Sequence, residues 1–389
     1  MRKLIFLICI LHTMIYAQNT MSKKSYERLM KVEKHIELGQ IKQAKKFLDE
    51  MIKGKNKYSS SYAYKYLASL ALQKNNYKAA KEYYKKIVKF NSLDKEQIDR
   101  IKFSLSKIYL FLEEFNKSIL ISNDLLKTSS LKKTDIYETL IYSYYYTQKF
   151  HKSILYSEKY IKLSPEKKEN IYQVLYSSYI ELKEYHKAIQ ILTIMVKKWT
   201  DKSAYWLQLT SLYHETQQYN KALSTIELAY KKGILDPKKN INFFVNLLIQ
   251  NELYNKASIV LEDAIQKGDI KEDEKIFKLL ISTYLNAHES NKAIKKLKNS
   301  KFAQNVKYIK ILANLYYKQN NYKAVVNLLS SKEKKIKFDG DLQILLALSY
   351  YELDNKDKTS FYLKKALHSK KKKQALQIAK TLRMNIKNF

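Results

Sequence analysis

Tyr66-Leu67-Ala68-Ser69-Leu70-Ala71-Leu72-Gln73-Lys74-Asn75-Asn76-Tyr77 and Ile311-Leu312-Ala313-Asn314-Leu315-Tyr316-Tyr317-Lys318-Gln319-Asn320-Asn321-Tyr322 are two copies of one pattern, far apart in the chain. Working outward from their closing tyrosines, a mostly bulky residue recurs at Ile41, Tyr77, Phe115, Phe150, Tyr185, Tyr219 and Tyr254, and the series continues through Ser290, Tyr322 and Lys356. The steps lie between 32 and 38 residues. Three residues after each comes a mostly small side chain: Ala44, Ala80, Ser118, Ser153, Ala188, Ala222, Ala257, Ala293, Val325 and Thr359. Self-similarity at a fixed period of this length is the mark of a stacked-repeat architecture.

A helical hairpin explains the pattern. Before each bulky residue, Leu and Tyr stand four apart, as in Leu140/Tyr144, Leu175/Tyr179, Leu209/Tyr213, Leu280/Tyr284, Leu312/Tyr316 and Leu346/Tyr350. That spacing puts both on one face of a first helix. The small residue in the second helix lets the two backbones approach, and a larger one would overpack the contact by roughly 1–3 kcal/mol. One hairpin cannot cover its own apolar face, so successive hairpins stack. No stretch alternates with period two, which predicts essentially no sheet. The five glycines and two prolines fall where helices are expected to stop: Gly39 within a hairpin, and Gly54, Pro165, Gly233, Pro237, Gly268 and Gly340 between hairpins. Asn75, Asn320 and Asp354 occupy the tight turn that Gly39 occupies in the first unit.

On these residues the chain resembles the tetratricopeptide repeat family. Its motif positions are met in one unit by Tyr64, Leu67, Ala68, Ala71, Ala80, Tyr84 and Ile87, with Pro165 at the family's proline place and Trp206 at its aromatic place. Departures are the scarcity of a small residue after the leucine, where Ile141 and Tyr176 stand, and a weak first unit. The resemblance implies an all-α, right-handed superhelical solenoid of about ten helix-turn-helix repeats over residues 25–368. A Lys-rich capping helix over 369–389 would follow, with Leu376, Ala379, Leu382 and Ile386 at helical spacing. It also implies a partner-binding groove lined by first helices. Carried over by position, the groove residues are Lys65, Ser69, Gln73, Tyr142, Tyr145, Tyr146, Gln173, Ser177, Glu181, Leu207, Ser211, Glu215, Asn242, Asn246, Lys278, Ser282, Lys310, Asn314 and Lys318. Tyr142-Ser143-Tyr144-Tyr145-Tyr146 has more rings than one core face can use, and amphipathic rings are good anchors for a partner. The clamp by which some family members hold a C-terminal carboxylate is incomplete: Lys310 and Asn314 form its first half, but Leu345 stands where Asn is required.

Three runs carry a narrower resemblance: Ser22-Lys23-Lys24-Ser25-Tyr26-Glu27-Arg28-Leu29, Tyr205–Tyr213 followed by Glu227–Gly233, and Ala257–Gly268. In this order they resemble the periplasmic repeat proteins encoded beside the TonB, ExbB and ExbD energy-transduction components. That resemblance implies envelope protein partners, TonB/ExbB/ExbD among them, and a role in assisting energised uptake.

The first residues agree with an exported protein. Arg2 and Lys3 precede an apolar run, Leu4–Ile15, and Ala17 is a plausible cleavage point, which reads as a signal peptide over 1–17. The run is too short to span a hydrocarbon core, which takes about 20 residues. A linker over 18–24 would follow, and the mature chain would have no cysteine, since Cys9 is the only one. A periplasmic or secreted protein is therefore expected.

The formal net charge is +36. Nucleic acid is a poor explanation for it, because only Arg2, Arg28, Arg100 and Arg383 are arginines, and phosphate recognition favours the guanidinium fork. Lysines occur in every unit, and the joint abundance of Lys, Asn, Ile and Tyr is what an AT-rich coding sequence produces. An alternative reading is an envelope structural or assembly protein that grips anionic polymer or lipid through its lysines, with the run Lys370–Lys373 near a membrane surface.

The chemistry-bearing residues form no catalytic or metal pattern. His35, His151, His186, His214, His288 and His368 lack ligand spacing, and Glu113/Glu114 and Glu262/Asp263 read as solvated helix-end charges. Nothing resembles a phosphate loop or a nucleophile elbow. The expectation is a binding scaffold with no enzyme activity, cofactor or metal.

Overall fold

The structure, a computed structural model, describes residues 21–384; the expected signal segment 1–17 and Ile386 lie outside the described residues. All regular structure among the described residues is helical. The chain divides into two bodies, one ending at Thr216 and the other beginning at Gln217. In the N-terminal body, hairpins pair α1 (Lys23–Glu37) with α2 (Ile41–Lys53), α3 (Lys57–Gln73) with α4 (Tyr77–Phe90), and α5 (Lys95–Phe111) with α6 (Phe115–Thr128). The next pairs are α7 (Lys133–Tyr146) with α8 (Phe150–Leu163) and α9 (Glu169–Glu181) with α10 (Tyr185–Lys198), and α11 (Ser203–Glu215) ends this body.

The C-terminal body opens with α12 (Tyr219–Lys231). It then pairs α13 (Pro237–Gln250) with α14 (Tyr254–Gln266), α15 (Glu274–Asn286) with α16 (Ser290–Lys298), and α17 (Val306–Lys318) with α18 (Tyr322–Ser330). A single turn, α19 (Glu333–Ile336), precedes the last pair, α20 (Gly340–Glu352) and α21 (Lys356–Leu367), and α22 (Lys372–Thr381) packs on α21.

All ten second helices begin at the ten positions of the bulky series, from Ile41 to Lys356. Each side chain three residues on, from Ala44 to Thr359, is buried to 1% exposure or less, as a close helix–helix contact requires. First helices start where a short polar side chain can serve the unpaired amides of the first turn: Asn56, Asp94, Asp236, Asp273, Asn305 and Asp339 each accept a backbone N–H two or three residues on. The Leu–Tyr pairs point inward, with Leu140, Leu175 and Leu280 at 1% exposure or less and Tyr144, Tyr179 and Tyr284 buried beside them. Where the small residue after leucine is missing, a serine three after it takes over. Ser143 on α7 donates to Ser118 on α6 at 3.0 Å and Ser178 on α9 to Ser153 on α8 at 3.4 Å, so the contact between successive hairpins is closed by hydroxyls instead of methyls.

The turn between the two helices of each hairpin repeats one conformation. The residue two before each second helix has positive φ: Gly39, Asn75, Glu113, Gln148, Lys183, Gln217, Glu252, His288, Asn320 and Asp354. In the nine turns that lie within one body, its amide and the next one bond back into the first helix, as in Gly39 to Ile36 (3.0 Å) and Gln40 to His35 (2.7 Å), or Asp354 to Tyr351 and Asn355 to Tyr350 (both 2.9 Å). This double bond pattern is a Schellman cap, which favours glycine in the left-handed residue. Only one of the ten is glycine, and a Cβ in that region costs roughly 1–2 kcal/mol. Gln148→Gly and Lys183→Gly are therefore expected to raise stability by about 0.5–1 kcal/mol each, read as a higher denaturant midpoint. An unchanged or lower midpoint would contradict the strain.

Three expectations about helix stops need correction. Gly54 has φ −71° and no left-handed role, and Pro237 starts α13 as its first residue instead of ending a helix. Gly340 also starts a helix. It is buried as the first residue of α20, where a Cβ would lie 2.1 Å from Ser369 Oγ and 2.9 Å from Lys371 Cβ, so a hydrogen there lets the loop before α22 pack down. The inward residues of α22 are Ala375 and Ala379, while Leu376 is 39% exposed.

Candidate functional site

The residues assigned to the groove all lie on first helices, and none of them is buried. In the N-terminal body they form one face of α3 (Lys65, Ser69, Gln73), α9 (Gln173, Ser177, Glu181) and α11 (Leu207, Ser211, Glu215), four residues apart along each helix, with Tyr142, Tyr145 and Tyr146 on α7. In the C-terminal body they lie on α13 (Asn242, Asn246), α15 (Lys278, Ser282) and α17 (Lys310, Asn314, Lys318). Neighbouring first helices touch where α7 lies beside α5 and α9, and where α17 lies beside α20.

Some of these side chains are already engaged. Gln173 donates to the hydroxyl of Tyr205 at 2.6 Å, and that hydroxyl donates to Glu169, tying α9 to α11. Lys310 pairs with Asp341 and stands 3.8 Å from Asp339; Asp341 also takes Lys371 at 2.8 Å. Burial works against the charge on Lys310, but Asp341 and Asp339 outweigh it and hold the ammonium above the ordinary lysine range. The hydrogen bonds from Lys310 and Lys371 hold the Asp341 carboxyl below the usual carboxylate range. Lys310 thus joins α17, α20 and the loop before α22, a structural duty its groove position did not suggest.

The tyrosines divide by place. Tyr142 is half-buried, and burial, then Glu138 and Tyr146, push its hydroxyl up to about 12. Tyr145 and Tyr146 end α7 at the tight-turn edge. There Tyr146 stacks on Phe115 at 5.1 Å and Tyr145 meets Phe150 edge-on at 5.7 Å. One hairpin earlier, Phe111 at the end of α5 stacks on Tyr77 at 5.0 Å. The partners Phe111, Phe115 and Phe150 were missed as contact residues. Their signal is an aromatic at the last position of a first helix or the first of a second. Phe111 and Tyr146 keep 66% and 58% of their surface exposed, so the edge is aromatic and accessible. Open notches lie between consecutive turns. One of about 270 Å³ is lined by Glu113, Glu114, Phe115, Lys117 and Thr147. Another of about 410 Å³ is lined by Leu253, Tyr254, Ile259 and Asn286 among others.

Several tyrosine hydroxyls reach a carboxylate on another helix: Tyr66 to Glu33, Tyr179 to Glu158 at 2.6 Å, Tyr205 to Glu169 and Tyr284 to Glu262. Burial first and the neighbouring carboxylate second raise all four, Tyr205 up to about 12. A phenol of raised pKa holds its proton in the folded chain at pH values where the unfolded chain has lost it. Its contribution is complete below about pH 10 and is lost as pH rises toward 12 and beyond. Helix loss is therefore expected in that window, together with tyrosinate absorbance at 295 nm, and Tyr205→Phe or Tyr284→Phe should flatten the dependence. Full tyrosinate absorbance with helicity unchanged would contradict the coupling.

Among the described residues no three His, Cys, Asp or Glu side chains cluster as a metal site would require. No described helix is long and apolar enough to cross a membrane.

Residues 66–92 match the family model of the tetratricopeptide repeat. None of the curated proteins matches the chain. Among solved structures it is similar to Naa15/Naa10 bound to HypK-THB, at 16% identity and TM-score 0.46, covering 89% of this chain and 58% of that one. A tetratricopeptide repeat protein from Parabacteroides merdae is similar at 14% identity and TM-score 0.41, over 67% of this chain and 99% of that one. YrrB, a repeat protein with an unusual peptide-binding site, is similar at 14% identity and TM-score 0.35, over 49% and 97%. The matched stretch, and the period, small contact residue and left-handed turn that the hairpins on either side share with it, support the tetratricopeptide repeat family for this chain.

Proposed function

We propose that this chain is a non-catalytic scaffold that binds extended segments of protein partners along its rows of first helices. One observation carries the reading: successive first helices present unburied polar and aromatic side chains at a four-residue spacing, and the tight-turn edge of the N-terminal body adds accessible rings at Phe111 and Tyr146. Rigid helices with adaptable polar groups and a few amphipathic rings suit an extended peptide, since rings supply contact area at low entropic cost.

The narrower proposal places the scaffold in the cell envelope, exported by residues 1–17 and assisting TonB-dependent uptake. It is supported by the apolar run Leu4–Ile15, by the absence of any cysteine after Cys9, and by the runs around Tyr205–Tyr213 and Ala257–Gly268. Capture from envelope extracts tests both levels, comparing the wild type with the Tyr142→Ala/Tyr145→Ala/Tyr146→Ala variant. The scaffold reading expects at least one captured protein to be lost with the three rings, and identical captured sets would overturn the row as the binding surface. Capture without TonB, ExbB or ExbD would overturn the uptake assignment alone. Mass spectrometry of the exported protein should find Gln18 as its first residue.

A further inference from the structure

Second helices α16 and α18 have nine residues each, where the others have twelve to fourteen. The chain this saves forms two loops, 299–305 and 331–339, on the edge of the C-terminal body opposite its tight turns. Lys332 donates to Gln304 Oε1 at 2.8 Å, and Lys335 to the same oxygen at 3.2 Å. Two ammonium groups thus converge on one neutral amide with no carboxylate between them. Lys334, Lys335 and Lys337 are exposed and have no carboxylate partner among the described residues. The ring that follows, Phe338, is 85% exposed, more than any other large hydrophobic side chain described, and Lys337 Nζ stands 5.3 Å from its centre. On its other side the loop meets α21, where Glu333 pairs with Lys365, and just beyond the loop Gly340 lies against Ser369 and Lys371, which brings Lys370–Lys373 to the same edge. Residues 290–338 contain thirteen lysines and a single acidic residue, Glu333.

We propose that loop 331–339 docks this chain on an anionic lipid surface, with Phe338 as the inserting ring and the surrounding lysines facing the phosphates. A protruding ring ringed by lysines suits the boundary between headgroups and acyl chains, where an aromatic side chain gains burial while the ammonium groups stay at the phosphates. Flexible lysines without arginine favour diffuse attraction to an anionic leaflet over bidentate docking to a defined phosphate. The proposal does not rest on the rows of first helices, and its test leaves them untouched.

The test is co-sedimentation of the full chain with vesicles of phosphatidylcholine alone or with about a third phosphatidylglycerol. Binding is expected only to the anionic vesicles. At about a tenfold change for each 1.4 kcal/mol, and ~1 kcal/mol per lysine near such a surface, Lys334→Glu/Lys335→Glu/Lys337→Glu should weaken it by on the order of 100-fold. Phe338→Ser should weaken it about tenfold. The Phe338→Trp emission should shift to the blue on vesicle addition, and circular dichroism should be unchanged in every variant because the altered residues are exposed. Equal binding to neutral vesicles, full binding by the lysine variant, or an unshifted Trp in the bound state would each overturn the proposal. So would equal affinity for soluble polyglutamate abolished by the same substitutions, which would make the surface a site for an acidic protein.

Discussion

Phe277→Ala should lower the stability of the hairpins around it by about 3–5 kcal/mol, the range for emptying a fully buried aromatic site. Phe277 on α15 has no exposed surface, and its ring meets Phe302 at 5.0 Å and Tyr308 edge-on at 4.9 Å. These rings come from α15, the loop after α16, and α17, so the cavity would loosen two consecutive hairpins and the loop between them. Stacked repeats transmit such a loss mainly to their neighbours. Hydrogen exchange followed by mass spectrometry should therefore show faster exchange across residues 274–318 and unchanged protection across 21–216. A loss below ~1 kcal/mol, or a uniform rise along the whole chain, would contradict this packing.

The second large effect is expected at Gly340. Gly340→Ala places a methyl 2.1 Å from Ser369 Oγ and 2.9 Å from two Cβ atoms, closer than atoms of a packed interior tolerate. Ser369 also holds the local chain, donating to the Ala366 carbonyl at 2.7 Å and accepting the Lys371 amide at 3.1 Å, so it cannot turn aside without losing both bonds. The cost should be about 1–3 kcal/mol. It should appear as fraying of α22 and of α21, the second helix it covers, with the Asp341–Lys371 pair lost. Ser369→Gly in the same chain should recover part of that cost. Additive effects of the two substitutions would show that the contact does not carry it.

The architecture was legible because its signals are local. A bulky residue followed three positions later by a small one marks the start of most second helices, and the contacts needing that spacing lie within a hairpin or with its immediate neighbour. The left-handed turn residue was legible only at Gly39, Asn75, Asn320 and Asp354, whose side chains favour that conformation. Glu113, Gln148, Lys183 and Glu252 have no such preference; the paired amide bonds behind them impose it. Gly340 was misread as a stop because its reason is Ser369, which follows a whole hairpin later.

Of the candidate site, the sequence carried only a set of helix positions; the structure puts each of them on a first helix and leaves it unburied. Its energetics were not legible, because Lys310–Asp341 and Gln173–Tyr205 each join residues some thirty positions apart. Repeat spacing says which side chains face the same way, but not which of them are already hydrogen-bonded to one another. Phe338 was missed for a related reason: its exposure follows from the shortening of α18, which no periodicity announces.

The recurrence of one left-handed residue at the same place in each hairpin has a genetic consequence. A segment cut from one such residue to the next, Gln148 to Lys183 for example, begins and ends in the same backbone conformation and in the same pair of amide bonds. Its deletion or duplication shortens or lengthens the chain by a whole hairpin and leaves an intact turn at the join. Length can therefore change in units of one repeat, with only the side chains of the new neighbours left to be refitted.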